Sequence, residues 1–211
     1  DKTYQSNPKF RPILGGREQE FSDEEILLLE KVHQALAIIQ FKLENQLIKR
    51  RPEFQMQDHV MLDKIDYWEE SVSIDDTKHP LVNTCFQTIN PENPSALTPE
   101  ENQAVDSMLA SFQSSLKMAE HMSLLMNKGS MYKIYNHHLL FHGCIPLEPS
   151  GEFQPFILNQ AHYAGKELLD FFEYHIRQAA KDKEVGDDLS TDLIWYCWKG
   201  KLSPLFGKEK M

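Results

Sequence analysis

Long apolar runs are missing from this sequence: no stretch approaches the roughly 20 residues of a membrane span, so no membrane partner is expected. Cysteine is scarce, with three residues in 211. Cys85, Cys144 and Cys197 are odd in number, far apart and in no CxxC or CxxH spacing, which reads as reduced cytosolic thiols rather than a disulfide framework. Positive charge is also in deficit, 22 Lys and Arg against 32 Asp and Glu, and the formal net charge is −10. That balance argues against duplex nucleic acid or an anionic membrane as partner, since both attract dense positive charge. The opening DKTYQSNPKF has neither a charged n-region nor an apolar h-region, so a cytoplasmic chain is expected. It also lacks an initiating methionine, and GKEKM closes the chain without a terminal element, so both ends read as cut from something longer.

What remains is ordinary globular material, 41% hydrophobic and 26% charged, enough for one large domain or two small ones. Residues 1–16 hold Pro8, Pro12, Gly15 and Gly16 and suit an extended lead-in. Ser22 and Glu25 then form an S-x-x-E capping box. The helix it opens carries Leu28, Leu29, Val32, Leu36, Ile39, Leu43 and Leu47 at helical spacing and stops near Arg51, before Pro52. Val72 and Ile74 alternate with serines ahead of Asp75 and Asp76, which predicts a short strand pair within residues 61–81. Thr98, Pro99 and Glu101 open a second helix. Its apolar face would run through Val105, Met108, Leu109, Phe112, Leu116, Ala119, Met122 and Met126 to a stop at Gly129. Burial of both stripes is expected.

From Ser130 the period becomes strand-like: MYKIYN, the polar corner Asn136, His137 and His138, then LLFHG, a predicted β-hairpin. A further strand is expected within residues 153–158 and a third helix over 165–181. The run KDKEVGDD reads as a solvated loop. Ser190 would cap a short helix through DLIWYCW, and KGKLSPLFGKEKM would be irregular.

His137, His138 and His142 are the densest group of metal-capable side chains. On a helix His138 and His142 would make a zinc pair, but bulky residues between Gly129 and Gly143 favour strand. On a strand, positions four apart lie roughly 13 Å from each other at ~3.3 Å per residue and cannot share an ion. His142 alone survives, expected at the end of a buried apolar strand, where open sheets place ligands, with Gly143 freeing the backbone beside it. A satisfied core histidine is the plainer alternative. Lys49, Arg50 and Arg51 could hold a phosphate or simply offset the helix dipole. Lys199, Lys201 and Lys208 pose the same choice between phosphate contact and solvated loop. The methionines at 108, 118, 122, 126 and 131 read as core packing rather than a soft-metal face. Trp195 and Trp198 read as packing rather than a stacking platform for a sugar.

The block KGSMYKIYNHHLLFHGCIPL resembles the strand-turn-strand-H-G segment of calcineurin-like dinuclear metallophosphatases. Together with IIQFKLENQLIKRRPEF, SSLKMAEHMSLLMNKGSMY and DLIWYCWKGKLSPLFGKEKM, it resembles class III fructose-1,6-bisphosphatase over nearly the whole chain. The resemblance implies an α+β fold: long amphipathic helices plus a β-hairpin forming part of an αββα sandwich. Residues 1–126 would be a helical and hairpin insertion and 127–211 a partial sandwich with flanking helices. It implies that His142 binds the second of two ions, manganese being expected, which polarise the phosphoryl oxygens during hydrolysis of fructose 1,6-bisphosphate to fructose 6-phosphate in gluconeogenesis. The family's D-x-H, G-D-x-x-D-R-G and G-N-H motifs do not occur here, so no catalytic residue falls within these residues and the chain alone would be inactive. Arg50, Arg51, Lys201 and Lys208 are the candidates for substrate phosphate. The expected partners are the sugar bisphosphate, the rest of a parent chain and, as an open option, a second copy in a homo-oligomer. A non-catalytic helical regulatory or oligomerisation module is the competing reading.

Overall fold

A computed structural model describes residues 4–16, 20–181 and 188–206. The elements are α1 (Asp23–Arg50), β1 (Ile65–Asp66), β2 (Ser71–Ile74), β3 (Thr77–Pro80), α2 (Pro99–Ser114), α3 (Leu116–Lys128), β4 (Tyr132–Tyr135), β5 (His138–Phe141), β6 (Phe156–Leu158), β7 (Ala161–Tyr163), α4 (Gly165–Ala179) and α5 (Leu189–Lys199). Helices and three small antiparallel sheets make this a mixed α+β chain, with sheet orders β1-β2-β3, β4-β5 and β6-β7. Two compact units comprise residues 1–50 with 57–107, and 51–56 with 108–211.

In the first unit both capping boxes form. The Ser22 amide donates to Glu25 at 2.7 Å while Ser22 Oγ accepts from the Glu25 amide at 3.3 Å; Thr98 and Glu101 repeat the exchange at 2.8 and 3.2 Å. Each satisfies two of the donors that a helix start leaves open. The region 61–81 is a three-stranded sheet rather than a pair, turning at Asp75 and Asp76, both at positive φ.

The apolar stripe of α1 is only partly its buried face: Ile39 and Leu47 are buried and Leu29 is half-buried. Leu28, Val32, Leu36 and Leu43 are exposed, whereas Glu30, Gln34, Lys42, Glu44 and Asn45 are buried beside Ile26, Ile39, Leu47 and Ile48. A polar network explains the burial of Lys42. Lys42 Nζ, fully buried, donates to Glu101 Oε2 at 2.7 Å and to the Thr88 carbonyl at 2.6 Å, and the Tyr4 hydroxyl donates to Glu101 Oε1 at 2.7 Å. A buried charge is tolerated where it is paired and hydrogen-bonded.

The second long helix is likewise corrected. Ser115 leaves the helical region (φ −76, ψ 107) and its side chain accepts from the Met118 amide, so α2 ends and α3 begins on a fresh cap. Neighbouring serines offer the backbone alternative partners, which is why they break helices. Phe112 is 61% exposed, Leu116 81%, and Met108, Met118 and Met122 are exposed as well. Of the five methionines expected in a core, Met131 alone is buried and Met126 is half-buried.

The core of the second unit is aromatic. Phe156 of β6 lies 5.8, 5.6 and 5.1 Å from the rings of Phe171, Phe172 and Tyr196, and Phe54 lies 5.0 Å from Tyr196. Leu168, Leu169 and Leu193 fill the seam where α4 packs on α5. Ser190 is not the cap of α5. Asp188 is, accepting from the Thr191 amide at 3.0 Å, and Ser190 Oγ bonds His175 Nδ1 at 2.9 Å instead. The loop expected from KDKEVGDD falls mostly outside the described residues.

Candidate functional site

The hairpin that carries His142 forms as the pattern dictates. Tyr132 pairs with Phe141 and Tyr135 with His138, and Asn136 and His137 make the turn at φ 47 and 63. These two positive values match the right-handed strand twist that a two-residue hairpin turn must follow. His142 comes directly after β5. The strand itself is exposed at every position, not buried as expected, and His142 is exposed with it.

Gly143 is the tightest point of the region. A Cβ built there would stand 2.3 Å from the Pro204 carbonyl oxygen, closer than any side chain can be accommodated. The Cys144 amide donates to that same oxygen at 2.9 Å, and Cys144 Sγ donates weakly to the Ser203 carbonyl at 3.6 Å. The glycine after His142 therefore lets the strand end dock on the loop at residues 200–206. That loop is ordered from within. The Leu202 amide donates to the Tyr196 hydroxyl, Ser203 Oγ donates to the Cys197 carbonyl at 2.5 Å and accepts from the Leu205 amide at 3.1 Å. Burial pushes the Cys144 thiol up and the Cys197 thiol up to about 12, so both remain protonated and unreactive at neutral pH.

Two of the expected residues are thus brought into one region: His142 and the segment bearing half-buried Lys201. An imidazole offers a lone pair, and an ammonium offers charge to a phosphoryl oxygen. Arg51 is elsewhere. Its Nε donates to Asp192 at 2.6 Å, with Asp192 fully buried, and its Nη1 lies 3.7 Å from Glu53. Arg50 ends α1 in the first unit, and its neighbour Lys49 pairs with Asp63 at 2.7 Å. Lys199 is buried, with Nζ 5.7 Å from the Trp198 ring, and Trp198 itself is 60% exposed rather than packed. Lys208 lies outside the described residues.

Among the described residues no group of three or more His, Cys, Asp or Glu could hold a metal ion. A single imidazole does not make a site for a divalent ion, which needs several converging donors. By themselves these residues do not fit a resident metal; they offer one donor. Sequence reasoning missed Asp192 and Ser203. The Asp192 partner is 141 residues from Arg51, and no local pattern encodes such a pairing.

The fold and this region define a mixed α+β segment that presents a histidine-glycine strand end against a lysine-bearing loop. Comparison with known proteins gives the family. The model of the firmicute fructose-1,6-bisphosphatase family matches residues 1–211, and the chain belongs to that family. It is 97% identical over 211 residues to a protein of Streptococcus sanguinis named fructose-1,6-bisphosphatase class 3, covering all of this chain and 33% of that relative. Relatives of the same name from Streptococcus gordonii and Staphylococcus aureus are 80% and 48% identical, covering 33% and 32% of their lengths. The chain spans about a third of the length of the curated relatives it matches. No solved structure matches it.

Proposed function

We propose that this chain is part of a phosphatase that hydrolyses fructose 1,6-bisphosphate to fructose 6-phosphate and phosphate, a reaction of gluconeogenesis in the cytoplasm. His142 is its one contribution to a two-ion centre whose other ligands lie outside these residues, manganese being the ion favoured by the resemblance. The observation that carries this is the H-G strand end itself. His142 follows β5 directly and Gly143 is pressed against the Pro204 carbonyl, in a chain 97% and 80% identical to relatives named fructose-1,6-bisphosphatase class 3. The hairpin and the α4–α5 pair would then be an edge of an αββα sandwich completed by the rest of the protein. Lys201, on the loop that Gly143 and Cys144 meet, is the phosphate candidate this reading favours. Arg51 is engaged by Asp192 and serves the fold first.

The test is phosphate release from fructose 1,6-bisphosphate, with and without manganese, for this chain, the full-length protein and full-length His142→Ala. The chain alone is expected to release none. His142→Ala should lower kcat/KM by about a hundredfold or more, since loosening a metal costs at least what loss of its supporting shell does. Metal-dependent turnover by the isolated chain would place the whole site inside these residues, and unimpaired turnover by the variant would return His142 to the role of an ordinary surface histidine.

A further inference from the structure

We propose that the first unit carries a binding pocket for a small zwitterion with an apolar side chain, of the α-amino-acid class. The cavity holds about 340 Å³, within the range of small-molecule sites. Its apolar wall is the unexpected face of α1: Leu28, Val32, Ala35 and Ile39, with Ala104 of α2 also in the lining. Leu28 and Val32 are 52% and 42% exposed because they border this open space. A ligand's apolar body would remove that surface from water, the general source of affinity in such pockets.

Charge at the cavity narrows the class. The floor is closed by Tyr4, Thr88 and Glu101, whose polar atoms are already engaged with one another and with Lys42. Lys42 and Glu101 cancel, so the floor attracts neither a plain anion nor a plain cation. The remaining charges in the lining are Lys31 from α1 and Glu100 from the first turn of α2, one of each sign, and neither forms an ion pair among the described residues. A simple anion would suit Lys31 and be repelled by Glu100, and a simple cation the reverse. Only a molecule bearing both charges matches both, and that rejection of singly charged competitors is what gives specificity.

The experiment titrates the full-length protein calorimetrically with L-leucine, L-valine and L-phenylalanine. Isocaproate lacks the ammonium, isoamylamine lacks the carboxylate and glycine lacks the apolar body. At least one of the three amino acids should bind saturably, and each comparator about tenfold more weakly or worse, the loss expected for a missing charge-assisted contact. Lys31→Ala and Glu100→Gln, at positions outside the core, should each weaken binding about tenfold without moving the thermal midpoint, and Ala35→Phe should abolish it by filling the space. No saturable binding by any of the three amino acids overturns the proposal. So does isocaproate or isoamylamine binding as tightly as the amino acid, or an affinity unchanged in both charge variants.

Discussion

Glu101 serves three purposes in the first unit. It closes the capping box of α2, receives the Tyr4 hydroxyl and neutralises Lys42. Burial would raise its pKa, but Lys42, the Thr98 amide and the Tyr4 hydroxyl outweigh that and hold it below the usual carboxylate range. A depressed carboxyl contributes stability that is present above its unfolded value of 4.5 and lost as the pH falls through the folded value. Lys42→Met should therefore destabilise the chain by about 3 to 5 kcal/mol at neutral pH, because it leaves Glu101 buried and uncompensated. Urea unfolding measures this, and the difference between wild type and variant should shrink toward acid pH. His175 gives the other pH signature. Burial lowers its pKa below 6.5 despite the opposing charge of Asp188, so neutral His175 favours the folded state above 6.5 and that contribution is lost as the pH falls through the folded value. The thermal midpoint should drop between about pH 7.5 and about pH 5.5, and His175→Gln should flatten the drop.

Among the elements, the segment after the hairpin meets the loop at residues 200–206 through the close approach of Gly143 and the hydrogen bonds of Cys144. Gly143→Ala would set a Cβ against the Pro204 carbonyl, and backbone cannot yield as a flexible side chain can. A loss of about 1 to 3 kcal/mol is expected from overpacking. Faster hydrogen exchange of the Cys144 amide, which bonds that carbonyl, would locate the damage at the joint. Such a contact shows why the sequence was legible in some places and not in others. The capping boxes at Ser22 and Thr98, the hairpin turn at Asn136 and His137 and the stop at Gly129 are local: each depends on neighbours within four residues, which the sequence displays directly. The buried face of α1 depends on Lys42 meeting Glu101 across 59 residues, and apolar periodicity cannot report a face buried through charge pairing. The break at Ser115 was written in the Ser114–Ser115 pair but was outvoted by the longer apolar pattern around it. At the candidate site, the H-G pair and the hairpin were legible, whereas the Pro204 contact that anchors them was not.

At the scale of the whole molecule, the decisive feature is how much apolar surface has no partner. Phe112, Leu116, Leu124 and Leu125 on α2 and α3, and Ile134, Leu139, Leu140 and Phe141 on the hairpin, are all exposed. Soluble proteins rarely leave contiguous apolar patches of more than a few hundred Å² uncovered, and the relatives are about three times as long as this chain. We expect the exposed faces of α2, α3 and the hairpin to be covered in the longer protein, whereas the exposed Leu28 and Val32 of α1 border the open cavity. This leads to a test without any catalytic readout. The isolated chain should bind a hydrophobic dye such as anilinonaphthalene sulfonate strongly and self-associate as its concentration rises. Full-length protein at equal molarity should bind several-fold less dye. Leu116→Lys and Ile134→Lys, each about half or more exposed in the chain, should reduce the dye signal of the isolated chain while leaving its unfolding midpoint within about 0.5 kcal/mol, as surface changes do. In the full-length protein the same substitutions should cost more, since burying an unpaired lysine is expensive. Equal, small effects in both contexts would mean that these faces stay in solvent throughout, and that the remaining two thirds of the protein packs elsewhere.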